Sequence, residues 1–391
     1  MTVAASIEIR GRLAETGQPA KIALRESRIS AIEIVADAPE RWLAPGFVDA
    51  QVNGYGGFDV NAADPSAEEV SAMVESLWRQ GVTSLCPTVV TQSEEQMCRC
   101  LHAVAQAAGR SALMAHTLPI AHVEGPYLSP EDGPRGAHPR EHIRPASTAE
   151  YERWQRAAAG RVGIVTLAPE APGALEYIRA LSAQGTLVGI GHTAASPDLI
   201  REAANAGARL STHLGNGCSA VLPRLDNHIW AQLADDRLWA SLIFDGHHLP
   251  PEVMKVMLRA KGPRRALLVS DSVALAGAGP GTYDTPVGGK VELTADGRLR
   301  LAGSGYLAGS ASPLKTGLRN AMVHGGVSLA DAVKLTSTNP ARLLGLSGPS
   351  GRGALRPGAT ADVVVLSLNE QTKELTVEMT VVSGSIVYHR K

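Results

Sequence analysis

Aromatic side chains are scarce in this sequence. Phe, Trp and Tyr make up 4% of its 391 residues, so Val, Leu, Ile and Ala must supply most of the packing. Cysteine is scarcer still, with only Cys86, Cys98, Cys100 and Cys218. None stands in a CxxC pair, and a chain this long needs no disulfide staples, so ordinary reduced thiols are expected. Neither sign of charge dominates: 37 Lys and Arg face 38 Asp and Glu, a net charge of −1. Without a basic surplus, neither nucleic acid nor a membrane surface is an expected partner, and a small molecule is. No apolar run approaches the length of a membrane span. The opening MTVAASIEIRGR lacks the charged-then-apolar pattern of a secretory signal. Together these absences predict a cytoplasmic protein.

What the chain does have is globular composition, 44% hydrophobic and 19% charged, enough apolar material for a large core. Its ends alternate like short strands: SIEIRGRL, AKIALRE and RISAIEIV at the start, ADVVVLSL, LTVEMTVV and GSIVYHRK at the finish. Between them, apolar strand-like runs alternate with amphipathic helical segments, the pattern of parallel β/α units. The strand candidates are GFVDAQVNG, VTSLCPTVV, LPIAHVEG, VGIVTLAPE, TLVGIGHT, ARLSTHLG, WASLIFDG and ALLVSDS. Eight such units predict an α/β fold of the (β/α)8 TIM-barrel type. The flanking strands are too few at either end to bury a core alone. They are expected to pair into one small split β-sandwich domain, residues 1–44 and 350–391, beside a barrel over 45–349. Residues 280–306 break the rhythm. They are Gly-rich and carry an Asp296-Gly297 hairpin signal, which predicts a β insertion after the eighth strand. It serves either as a surface excursion or as a wall of the site.

The chemistry is written at the strand ends. LPIAHVEG ends in Glu124, LVGIGHT in His192, RLSTHLG in His213, SLIFDGHH in Asp245, His247 and His248, and LLVSDS in Asp271. The C-terminal ends of barrel strands converge on one face, where such enzymes place their catalytic groups. A lone histidine at a strand end is more often structural. Several polar groups buried at one mouth are costly without a metal or substrate to satisfy them. One carboxylate and two imidazoles from such strand ends form a usual set for one catalytic divalent ion. Zinc is the first choice, and iron or another divalent ion uses the same donors. Asp271 is then the natural proton carrier. His122, two residues before Glu124 and on the same side of its strand, reads as a packed, hydrogen-bonded histidine. His102, His116 and His324 read as structural or exposed.

The segments APGFVDAQVNG, HVEGPYLS, GHTAAS, STHLGNG, DGHHL, VSD, LAGSASPL, TSTNPARLLGL and GALRPGATADVVVLS, in that order, resemble the N-acetylglucosamine-6-phosphate deacetylases of the amidohydrolase superfamily. The likeness runs nearly the whole chain. It implies a barrel with a split β-sandwich, often a homodimer, that hydrolyses the acetamide of an N-acetyl amino sugar phosphate. By position it implies Glu124, His192 and His213 as metal ligands and Asp271 as catalytic acid/base. His138 would be a carbonyl-polarising histidine, and Asn216 and Gly217 a substrate loop. Arg224 and His248 would be a phosphate-contacting pair, the arginine commonly from the neighbouring subunit, and Leu307 would line the acetyl pocket. Two departures matter. Where many amidohydrolases carry His-x-His and two metals, this chain reads Gln51-Val-Asn53. A subgroup of the deacetylases does the same with one metal, so one tight ion is expected, with Gln51 positioning the water. The loop THLGNGCS places Gly217 and Cys218 where the family has a small aliphatic residue and a methionine, which leaves the sugar open. Another amidohydrolase, acting on a different N-acyl sugar or a cyclic amide, is the alternative. So is a metal-free interaction module, against which the complete set of four residues argues.

Overall fold

A computed structural model describes residues 7–285 and 288–391. Eight parallel strands make the central sheet: Phe47–Val52, Val82–Val90, Ala121–Glu124, Val162–Leu167, Leu187–Ile190, Leu210–Ser211, Trp239–Ile243 and Ala266–Val269. All eight sequence candidates form barrel strands, paired in chain order. The barrel closes between eighth and first strands, where Asp271 N donates to Gln51 O at 3.0 Å and Val52 bridges Ser272.

The strand interiors explain this choice of residues. Val48, Ala50, Cys86, Ile164, Leu210, Ile243, Leu267 and Val269 pack together inside the barrel, in one cluster with Ala341 and Leu344. Branched and small side chains suit that tapering interior, which is why few aromatics are needed. Two residues further along their strands, Thr166 and Thr212 also face inward, as the two-residue period requires. His122 Nε2 lies 2.8 Å from Thr166 Oγ1, which lies 2.7 Å from Thr212 Oγ1. His122 is therefore the packed, hydrogen-bonded histidine expected of it, and burial pushes its ring pKa down to about 4. The outer helices begin at serine caps: Ser66, Ser93, Ser147 and Ser196 each accept a backbone N–H from three residues on.

The terminal strands come together as expected. Ile7–Leu13, Pro19–Arg25, Arg28–Ile34 and Trp42–Pro45 join Val363–Leu368, Leu375–Val382 and Ser385–His389 in one seven-stranded sheet. The sheet folds over on itself. Its far edge returns to the segment before Val363, where Ile29 N donates to Ala359 O at 2.9 Å and Arg28 bridges Thr360. Ile9, Ile22, Leu24 and Ile29 then face Val363, Val365 and Val381 across a separate small core. This is a sandwich made from one continuous sheet rather than two.

A polar joint ties that domain to the barrel. His116 Nε2 lies 3.0 and 2.9 Å from the two carboxylate oxygens of Asp362, and Arg352 donates to Ser84 Oγ at 2.7 Å and to His116 O at 2.6 Å. Asp362 also accepts the Ser383 N–H at 2.8 Å. Asp362→Ala leaves these half-buried donors without their acceptor and is expected to destabilise the protein by ~1–3 kcal/mol, read as a lower denaturation midpoint. An unchanged midpoint would show that the joint contributes nothing to the fold.

Candidate active site

Four side chains reach the barrel mouth by one local device. Glu124 ends the third strand, and His192, His213 and Asp271 each follow the last residue of the fifth, sixth and eighth strands by two positions. The backbone turns sharply there: φ is +51° at His192, +30° at His213 and +48° at Asp271. Non-glycine residues rarely adopt this region, and where they do the strain often marks function. The turns aim all three side chains across the mouth, and together with Glu124 they are buried.

Glu124 Oε1 lies 2.7 Å from His213 Nε2 and 3.3 Å from His192 Nε2. Burial works against the Glu124 carboxylate, but hydrogen bonds from His192 and His213 outweigh it and hold the group well below the usual range. His213 is shifted up: burial lowers it, and Glu124 more than restores the charge. Gln51 is also buried. Its Nε2 donates to both Glu124 oxygens at 3.1 Å. Gln51 is thereby tied to the cluster through Glu124. Its amide is engaged on the carboxylate, and the side chain does not line the cavity.

The site fits a divalent cation on two counts. One donor atom from each of Glu124, His192 and His213 lies within 4.8 Å of the others, all buried. His192 Nδ1 lies 2.8 Å from Pro134 O, so Nδ1 carries the hydrogen and Nε2 offers its lone pair to the cluster. The short Glu124–His213 contact needs a proton between its partners, which a cation at the site replaces.

The remaining groups surround this cluster. His138 Nε2 lies 3.2 Å from His192 Nε2, and its Nδ1 lies 2.9 Å from Thr91 Oγ1. Burial, with His192 beside it, pushes its ring pKa down to about 3, so the imidazole is neutral. Asp271 is pushed up to about 6 by burial and by Glu124. Asn53 Nδ2 donates to Asp271 Oδ1 at 2.7 Å. Asn53 was not singled out from the sequence as a site residue. The available signal was its place two residues after Gln51, on the same side of the chain.

One cavity gathers Glu124, His138, His192, His213, Asn216, Gly217, Asp271 and Leu307. Gly217 has φ +56°, and a Cβ there would lie 2.6 Å from His192 Nδ1, so the loop comes against the imidazole as only glycine allows. Cys218 is also on the wall. The three-stranded insertion, Gly281–Thr285, Gly289–Leu293 and Leu299–Leu301, contributes Thr285, Val291 and Leu299. It is a wall of the cavity and not a surface excursion. Arg224 and His248 do not line this cavity. Arg224 is on an exposed loop, and His248 is held by its Nδ1 at 2.8 Å from Asp245 Oδ2. A single chain therefore does not bring the expected phosphate-contacting pair to the site.

Buried carboxylate and imidazole donors at the C-terminal mouth of a (β/α)8 barrel define a hydrolase of the metal-dependent kind. The chain belongs to the amidohydrolase family, whose model matches residues 42–387. It is 34% identical over 351 residues to the N-acetylglucosamine-6-phosphate deacetylase of Bacillus subtilis (strain 168), covering 89% of this chain and 85% of that one. It is equally 34% identical, over 362 residues, to the N-acetylgalactosamine-6-phosphate deacetylase of Escherichia coli O157:H7, covering 92% and 93%. Among solved structures, the N-acetylglucosamine-6-phosphate deacetylase of Mycobacterium smegmatis superposes with a TM-score of 0.87 at 30% identity, over 98% of this chain and 100% of that one. The Thermotoga maritima enzyme of the same name gives 0.86 at 29% identity, over 99% and 100%.

Proposed function

We propose that the protein hydrolyses the acetamide of an N-acetyl amino sugar 6-phosphate, N-acetylglucosamine 6-phosphate first, giving glucosamine 6-phosphate and acetate. The observation that carries this is the gathering of Glu124, His192, His213, Asp271 and His138 at one cavity, in a chain whose relatives bear deacetylase names. Zinc is the ion we assign: two imidazoles and a carboxylate suit it and leave a position open for water. Held by Glu124, His192 and His213, it would polarise the amide carbonyl and make water a better nucleophile.

The protein's own residues do the rest. Gln51 fixes the Glu124 carboxylate by its double contact. Asn53 occupies Oδ1 of Asp271, so Oδ2 takes the proton as water oxygen attacks the carbonyl carbon. In the tautomer that carries its hydrogen on Nε2, His138 can donate to the carbonyl oxygen as negative charge builds there. Asp271 then passes its proton to the sugar nitrogen as the C–N bond breaks. Asn216 and Gly217 hold the sugar, and Leu307 packs on the acetyl methyl.

We assign the phosphate to Arg224 and His248 in a homodimer, with Arg224 reaching the neighbouring subunit's site. In support, the Arg224 loop carries Val221 at 87% and Leu225 at 77% exposure, an apolar tip suited to burial against a second copy. His248 Nε2 is buried without a partner in one chain. The four cysteines form no disulfide, and no helix among the described residues is long and apolar enough to cross a membrane. Both are in keeping with a cytoplasmic enzyme. The direct test is acetate release from N-acetylglucosamine 6-phosphate, its galactosamine counterpart and both unphosphorylated sugars. The equal 34% identity to the two relatives and the Gly217–Cys218 wall make the galactosamine substrate the second reading. No acetate from any of them overturns the deacetylase assignment.

Arg224→Ala is expected to raise KM for the phosphorylated sugar ~10-fold or more, with kcat little changed, since the contact is remote from the carbonyl. Mixing it with Asp271→Asn subunits restores part of the activity if the arginine acts across the interface. An unchanged KM removes Arg224 from the phosphate site.

A further inference from the structure

A second cavity, of about 640 Å³, opens at the other end of the barrel. Trp239 begins the seventh strand, and Arg264 and Arg265 lie in the connection from the helix Pro251–Lys261 to the eighth strand. These are the N-terminal strand ends, so the cavity lies opposite the catalytic mouth. Its lining includes Lys261, Arg264, Arg265 and Arg342 with a single carboxylate, Asp236, and one aromatic ring, Trp239.

The frame of this cavity is fixed from behind by buried polar groups. Lys261, only 6% exposed, donates to Asp235 O and Leu238 O, both at 2.7 Å, and so ties down the turn before the seventh strand. Buried Asn339 donates to Pro263 O at 2.8 Å and Ala266 O at 2.6 Å, and so ties down the turn before the eighth. Asp236 lies 2.7 Å from Arg265. Arg264 and Arg342 have no carboxylate partner among the described residues. The Arg342 guanidinium instead sits over the Trp239 ring, 5.9 Å from its centroid.

A solvated surface spreads like charges apart. Here four cations line one concavity of ligand size, two of them without a carboxylate partner among the described residues, on turns held in place by Lys261 and Asn339. Guanidinium forks match phosphate oxygens, and an indole offers a face to a flat organic group. We infer that this cavity binds a small organic phosphate, with the phosphate met by Arg264 and Arg342 and the organic part resting against Trp239. The site is separate from the catalytic one and does not depend on the deacetylase reading.

Adenosine 5′-monophosphate is a suitable probe, with adenosine and inorganic phosphate as its two halves. Titration calorimetry on the full-length protein at low salt is expected to show saturable binding of the monophosphate, tighter than either half. The double variant Arg264→Ala/Arg342→Ala should weaken it at least ~10-fold, the scale of losing charge-assisted contacts. Trp239→Phe should weaken the monophosphate and leave inorganic phosphate unchanged. The double variant is expected to keep the wild-type circular dichroism spectrum and melting midpoint, which shows that it folds. Binding that fails to saturate overturns the proposal, as does binding that the double variant leaves unchanged, since the ligand then sits elsewhere.

Discussion

Asp271→Asn is expected to slow turnover at least ~10²-fold while leaving the fold, the metal content and substrate binding intact. Asparagine keeps the shape of the side chain and can still accept from Asn53 Nδ2, now 2.7 Å from Asp271 Oδ1. What it loses is the second oxygen as a proton acceptor, which the reaction uses twice. The carboxyl is buried and already pushed up to about 6 by burial and Glu124, a value that favours giving the proton back to nitrogen as well as taking it. Steady-state kinetics on the best acetylated sugar, with metal analysis of the same preparation, separates the two effects. Near-normal turnover with metal retained would show that another group carries the proton. Loss of the metal as well would give Asp271 a role in holding it.

The strand pattern made the barrel legible because the core is built from runs of branched residues whose last polar member points into the mouth. Glu124, His192, His213 and Asp271 each stand at or just past such an end, where periodicity also put forward Asp245, His247 and His248, and the resemblance chose among them. What the sequence could not give is pairing across strands. Gln51 was expected beside the water, and its contact with Glu124, 73 positions away, exists only because the first and third strands meet the same opening. The Asn53–Asp271 bond depends on closure between first and eighth strands, which no local pattern encodes. The same holds for His116, which looked isolated until the last strands brought Asp362 beside it. Arg224 and His248 are the converse case. Their positions match a phosphate pair by resemblance, but folding one chain leaves both outside the cavity, so that expectation now rests on a second subunit.

The metal gives the other large effect. Protein purified without chelator should carry about one divalent ion per chain, and His213→Ala should carry almost none after desalting and lose nearly all activity. The number follows from what replaces the usual histidine pair on the first strand. Gln51 turns an amide N–H toward Glu124, at 3.1 Å from each oxygen. A donor hydrogen facing the carboxylate cannot also be a ligand, so this side of Glu124 offers no second binding position. On its other side Glu124 meets His213 at 2.7 Å and His192 at 3.3 Å, and those three donors make one site. Removing His213 takes away an imidazole from a set of three and leaves Glu124 and His192 with too few donors to outcompete water. It also leaves a buried carboxylate without its strongest partner, so the variant's circular dichroism and melting curve should be recorded beside its metal content. A folded variant without metal or activity supports the assignment. Retention of a full equivalent of metal by folded His213→Ala excludes His213 as a ligand, and two tightly held ions in the wild type would mean that Gln51 turns its oxygen, not its nitrogen, toward the site.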